Sequence, residues 1–246
     1  MIEYAPDPAH RTFEVLLLLL AALFVVCWRY LPRDGQCVSK DAGPRTARLS
    51  PDIRAVVLRA APAVMSAFAV GTVMLSLGAQ IARDLVRSQN MLANGAVIGS
   101  FAIVCGVTSV LFKRLRSQAA IRAGGSATGA AMLLLALAAR VHSLPLLIVS
   151  VFGAGIGYAL LFMGGLALVS EGIDHQHRGL SLSTLYSTGY AMQAITALAL
   201  GITASHIGLR NAVTYGAIAI AAACVLTAAS TGTLDTSRSG RDGQAV

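Results

Sequence analysis

Nine hydroxyl and amide side chains crowd one otherwise apolar stretch: Ser181, Ser183, Thr184, Tyr186, Ser187, Thr188, Tyr190, Gln193 and Thr196. Neutral polar groups at membrane depth have two uses. They bond neighbouring helices, at about 0.6 kcal/mol each on average, or they form the wall of a water-accessible cavity that holds a polar solute. Tyr186, Tyr190 and Gln193 stand at i, i+4 and i+7, which places them on one helical face. Tyr158, in the middle of a second apolar stretch, and Asn94, early in a third, are further candidates for the same cavity. For each residue taken singly, packing between helices is the alternative use.

Reactive chemistry lacks its residues. No Lys lies in an apolar stretch, which excludes a retinal Schiff base. No Asp or Glu lies deep in one, with Glu14 at an edge, which argues against an aspartyl intramembrane protease. The Gly-x-Ser-Gly pattern of a rhomboid-type serine protease does not occur. His175-Gln-His177 beside Asp174 offers three metal-binding types in one short loop, a placement that reads as a solvated loop rather than a site. The four cysteines form no Cys-x-x-Cys pair, so neither a disulfide framework nor a zinc site is expected. The chain therefore reads as a non-enzyme with no catalytic group, metal or cofactor.

The elements that must position these groups follow from composition. Apolar residues make up 56% of the 246 residues and charged residues 12%, about half the charge of a soluble domain. Each membrane crossing takes about 20 residues, and seven apolar stretches fit: 13–31, 55–79, 91–112, 123–139, 145–170, 179–204 and 211–231. The expected organisation is a lead (1–12), a lone transmembrane helix (13–31), a basic linker (32–54), a six-helix bundle (55–231) and a disordered tail (232–246). Ser50-Pro51-Asp52 is a helix start, with a cap and then Pro in the first turn. The first stretch is not a cleaved signal, because Glu3, Asp7 and Glu14 surround Arg11 where a signal needs a basic lead.

Charge sets the expected orientation. With the linker placed inside, fourteen of the 19 Lys and Arg fall on inner connectors and five on outer ones. Cytoplasmic retention of basic residues then puts the N-terminus outside and the C-terminus in the cytoplasm, in an inner (plasma) membrane. The net charge of +8 sits beside apolar stretches, so the expected partner is the lipid bilayer and its anionic headgroups, not nucleic acid. Gly95/Gly99, Gly125/Gly129 and Gly153/Gly157 each put two glycines on one helix face, an arrangement that brings helices close in lipid.

This arrangement resembles the major facilitator superfamily of transporters. The last six stretches resemble that family's C-terminal half, the first stretch its sixth helix, and 32–54 the loop between halves. Three motifs carry the likeness: the basic connector Lys113-Arg-Leu-Arg116 to Arg122-Ala-Gly-Gly, the Gly-rich Phe152-Gly-Ala-Gly-Ile-Gly-Tyr158, and Arg178-Gly179 before the helix with Tyr186, Gly189 and Tyr190. The lead Tyr4-Ala-Pro-Asp-Pro resembles the outer loop before the sixth helix. The resemblance implies an all-α transmembrane fold whose last six helices form two inverted three-helix repeats. It implies secondary transport or efflux of a small solute by alternating access. Tyr158, Tyr190, Gln193 and Asn94 would be cavity contacts, and Arg178 with Glu171 or Asp174 a cytoplasmic gate. The family's first five helices have no counterpart here, so a truncated or partial carrier is expected. Such a carrier would pair with a separate N-terminal half or with a second copy of itself. A non-transporting scaffold or regulatory subunit is the alternative.

Overall fold

In lipid, a segment that crosses must satisfy its own backbone polar groups, and an apolar stretch does so by becoming a helix. The structure, a computed structural model, describes residues 8–30, 51–77, 91–141 and 143–242. All the described elements are helical: α1 (Pro8–Tyr30), α2 (Pro51–Thr72), α3 (Met91–Leu111), α4 (Ser117–Val141), α5 (Leu144–Gly172), α6 (His175–Ile207) and α7 (Leu209–Asp242). A π-helical turn, Val73–Leu77, continues α2. The lead through residue 7, most of the linker, the connector 78–90 and the last four residues lie outside the described residues.

Each of the seven expected stretches is a helix, and four contain a segment long and apolar enough to cross a membrane: Ile53–Leu75, Ser117–Val141, Leu144–Gly172 and Leu209–Ser230. These lie in α2, α4, α5 and α7. Shorter apolar runs occupy α1 (Leu17–Val26) and α3 (Gly99–Leu111). The hydroxyl-rich α6 is not among the four. Helix α7 is continuous to Asp242, so it extends into the segment expected as a tail.

Local chemistry sets the boundaries. Helix α2 starts at Pro51, where the Ser-Pro-Asp signal placed it. Helix α5 starts after Ser143, which is extended (φ −100°, ψ 113°), with Pro in its first turn. Between α6 and α7 a single residue, Gly208, reverses the chain at φ +84°, ψ 155°, a region essentially restricted to glycine. The amide N–H of Gly208 donates to the Ala204 carbonyl at 3.1 Å, and Asn211 Nδ2 donates to the Ile207 carbonyl at 3.0 Å. Two orphan carbonyls at the end of α6 are thereby satisfied.

The chain forms two units, Met1–Ala47 and Arg48–Val246. The first holds α1, in which the Phe24 and Trp28 rings meet at 5.8 Å. The second is the bundle. Within it α2 packs on α5, α6 and α7, α5 packs on α2, α3 and α4, and α4 packs on α7. Glycine makes the closest contacts. A Cβ on Gly124 would stand 2.7 Å from the Leu161 amide nitrogen, and one on Gly164 would stand 3.0 Å from the Ser117 carbonyl oxygen. On the other face of α4, Gly125 and Gly129 receive Cys224, Ala228 and Val225 of α7. Gly153 and Gly157 meet Ala131 and Thr128 of α4. Two of the three expected glycine pairs thus lie at helix contacts. The third does not: nothing lies within 4 Å of a Cβ placed on Gly95 or Gly99, because that face of α3 meets no neighbour among the described residues.

Candidate functional site: an aromatic seam

Neither use that the sequence allows describes most of the Ser and Thr hydroxyls of α6. Most of its hydroxyls bond to their own helix. Ser181, Ser183, Thr184, Thr188 and Thr196 donate to carbonyls three or four residues back, at 2.8–2.9 Å. A hydroxyl satisfied in this way neither ties helices together nor offers its proton to a solute. The stretch is therefore more polar in composition than in available donors.

The rings are what the fold brings together. Tyr158 of α5 lies nearly parallel to Phe162 one turn on, with centroids 6.0 Å apart and planes at 14°. Its edge also meets Phe101 of α3 at 5.7 Å. Phe162 continues to Phe68 of α2 at 6.0 Å and to Tyr186 of α6 at 6.0 Å. Phe68 then meets Tyr190 edge-on at 5.0 Å and 77°. Six rings from four helices form one seam. Offset and edge-to-face contacts of this kind contribute about 0.5–1.5 kcal/mol per pair beyond area burial.

Burial differs from ring to ring along the seam. Phe68 and Phe101 are buried, Tyr158, Phe162 and Tyr186 are half-buried, and Tyr190 is 60% exposed. Close approach of α6 to α2 seats the buried Phe68 ring: a Cβ on Gly189 would lie 2.8 Å from it, so only glycine lets the ring sit against Tyr190. Gln193, one turn beyond Tyr190, is half-buried. Of the four expected cavity residues, the structure thus links Tyr158 and Tyr190 through Phe162 and Phe68, and sets Gln193 beside the open end. Asn94 lies on α3, with its side chain outside the described set.

The sequence reading did not single out Phe68, Phe101 and Phe162. Phe162 carried a signal, standing at i+4 from Tyr158 on the same helix face. Phe68 and Phe101 carried none, since only the packing of α2 and α3 on α5 brings them to it.

The side chains of Arg178 and Glu171, near the α5–α6 turn, take partners other than each other. Arg178 Nη2 donates to the Ser170 carbonyl at 2.6 Å, while its buried Nε finds no acceptor among the described residues. Glu171 Oε2 accepts from Ser117 Oγ at 2.9 Å, which ties the end of α5 to the start of α4. The Asp174 carbonyl accepts from the amides of His177 and Arg178 at 3.0 and 3.1 Å.

No family model, curated protein or solved structure matches this chain.

Proposed function

We propose that this chain is a transporter-type membrane protein whose six-helix bundle is one half of a major-facilitator-like carrier. The observation that carries the reading is the aromatic seam. It draws one ring or more from each of α2, α3, α5 and α6, runs through the buried Phe101 and Phe68, and ends in the exposed Tyr190. Such a face holds a small solute by ring contacts and by tyrosine hydroxyls, and a second half-bundle laid against it closes the cavity.

The packing pattern supports, in part, two inverted three-helix repeats. Exchanging α2, α3 and α4 for α5, α6 and α7 turns the α2–α6 contact into the similarly extensive α5–α3, whereas the small α2–α7 contact corresponds to the much larger α4–α5 one and the α6–α7 contact has no comparable α3–α4 counterpart among the described residues. The α2–α5 and α4–α7 contacts map onto themselves. The proposed orientation, N-terminus outside and C-terminus cytoplasmic in the plasma (inner) membrane, rests on the distribution of Lys and Arg.

The test is aqueous access. In a cysteine-free background in membrane vesicles, Tyr190→Cys and Gln193→Cys react with a water-soluble maleimide, and Leu185→Cys, fully buried in the bundle, does not. Absence of labelling at both sites removes the cavity and favours a scaffold or regulatory subunit. Purified in liposomes alone, the chain moves no solute; robust uptake would overturn the requirement for a second half.

A further inference from the structure

A separate cavity of about 590 Å³ opens between α2, α6 and α7, away from the aromatic seam. It is long rather than round. On α6 its lining runs from Met192 to Thr203, and on α7 from Ala212 to Thr227. At 1.5 Å per residue those stretches are about 17 and about 22 Å long, slightly more than one leaflet's share of the roughly 30 Å hydrocarbon core. Pro62 to Ala69 of α2 forms the floor. Small residues keep it deep: Ala199 on one wall and Gly216, Ala219 and Ala223 on the other.

Polar groups in the lining are already engaged. Thr196, Thr203 and Thr227 donate to carbonyls of their own helices at 2.6–2.8 Å, and the Ser66 and Thr227 hydroxyls stand 3.4 Å apart. A buried water needs two to four polar partners, and a polar solute needs convergent donors or acceptors. Apart from the Tyr215 hydroxyl at the lip, this lining supplies neither. Width excludes a helix. About 590 Å³ spread over about 20 Å leaves a path for atom centres about 6 Å across, or about 9 Å once the atoms' own radius is added, whereas a helix with side chains is about 10–12 Å across. The medium beside α7 in a membrane is hydrocarbon, and the lip residues Ile195 and Tyr215 are 61% and 58% exposed, so the crevice is reached from the side.

We propose that this crevice is a lipid site that seats one acyl chain of a bilayer phospholipid along the α6–α7 hairpin. The chain lies parallel to the helix axes between the two rails and contacts the floor on α2. Tyr215, near the hairpin end, stands where an amphipathic ring suits the headgroup level, so the lipid enters from that end.

The experiment uses the full chain in vesicles of phosphatidylcholine doped with phosphatidylcholine bearing a mid-chain diazirine. After photolysis, peptide mapping compares residues 192–203 and 212–227 with the exposed Leu133 and Leu137 of α4. The expected labelling per residue is about fivefold higher in the crevice, because a seated chain meets protein on most sides and a lipid at the α4 face meets it on one. Ala199→Phe combined with Ala219→Phe fills the crevice and brings its labelling down to the α4 level, with α4 labelling unchanged. Equal labelling of crevice and α4 face in the wild-type chain overturns the proposal, whether or not the filled variant folds. So does crevice labelling that the filled, folded variant retains. Disulfide-linked dimers formed through Ala219→Cys would place a second copy there instead of a lipid, and would also overturn it.

Discussion

Replacing Gly157 by alanine adds one methyl group at the tightest contact between α4 and α5. The new Cβ overlaps the Thr128 hydroxyl oxygen and stands 2.8 Å from the Thr128 nitrogen and 3.0 Å from the Gly124 carbonyl oxygen. Two of these three atoms are backbone, so a rotamer change cannot relieve the clash and the helices must separate. Overpacking of this kind costs about 1–3 kcal/mol. Against it stands the helix-propensity gain of alanine over glycine, about 1 kcal/mol. The net expectation is a loss of about 0–2 kcal/mol. Gly99→Ala is the internal control, because its Cβ meets nothing within 4 Å; it keeps the propensity gain and is neutral to about 1 kcal/mol stabilising. Adding Thr128→Ala to Gly157→Ala recovers part of the loss, since it removes the side-chain overlap and leaves both backbone contacts. Reversible unfolding by SDS in mixed micelles, followed by far-UV circular dichroism, measures all four proteins. A Gly157→Ala variant as stable as Gly99→Ala would refute the α4–α5 packing described here.

Three further outcomes are expected. Tyr158→Phe leaves stability unchanged, whereas Tyr158→Ala loses two ring contacts and about 1–3 kcal/mol; thermal unfolding in detergent of the two variants separates ring from hydroxyl. Gly208→Ala costs about 1–3 kcal/mol from backbone strain alone, because space around that Cβ is open, so an alanine tolerated without a shift in melting would contradict the positive φ. Ser117→Ala and Glu171→Ala each lower stability by about 0.5–1 kcal/mol and together by less than the sum, as partners in one hydrogen bond; full additivity in a double-mutant cycle would show that the bond is not made.

What the sequence by itself determined is the set of helices. All seven apolar stretches are helices, and the four long and apolar enough to cross a membrane would there have to bond their backbone groups within the segment. The Ser-Pro-Asp signal placed the start of α2 at Pro51, and Ser143 with the following Pro placed the start of α5. Spacing alone also set Tyr186, Tyr190 and Gln193 on one face of α6. Composition misled at the hydroxyls of α6, since their number does not reveal that most bond three or four residues back within the helix. Nor could spacing tell the glycines apart: Gly125, Gly129, Gly153 and Gly157 lie at contacts, and Gly95 and Gly99, at the same interval, do not. Only the tertiary structure decided which helices touch. It brought Phe68 and Phe101 to Tyr158 and Phe162 across many residues of sequence, and it left a long crevice between α6 and α7, where a one-residue turn joins two helices that α2 holds apart lower down. The physical reason is common to both. Helix formation is a local satisfaction of backbone bonds, whereas the seam and the crevice depend on how closely side chains on different helices let those helices approach.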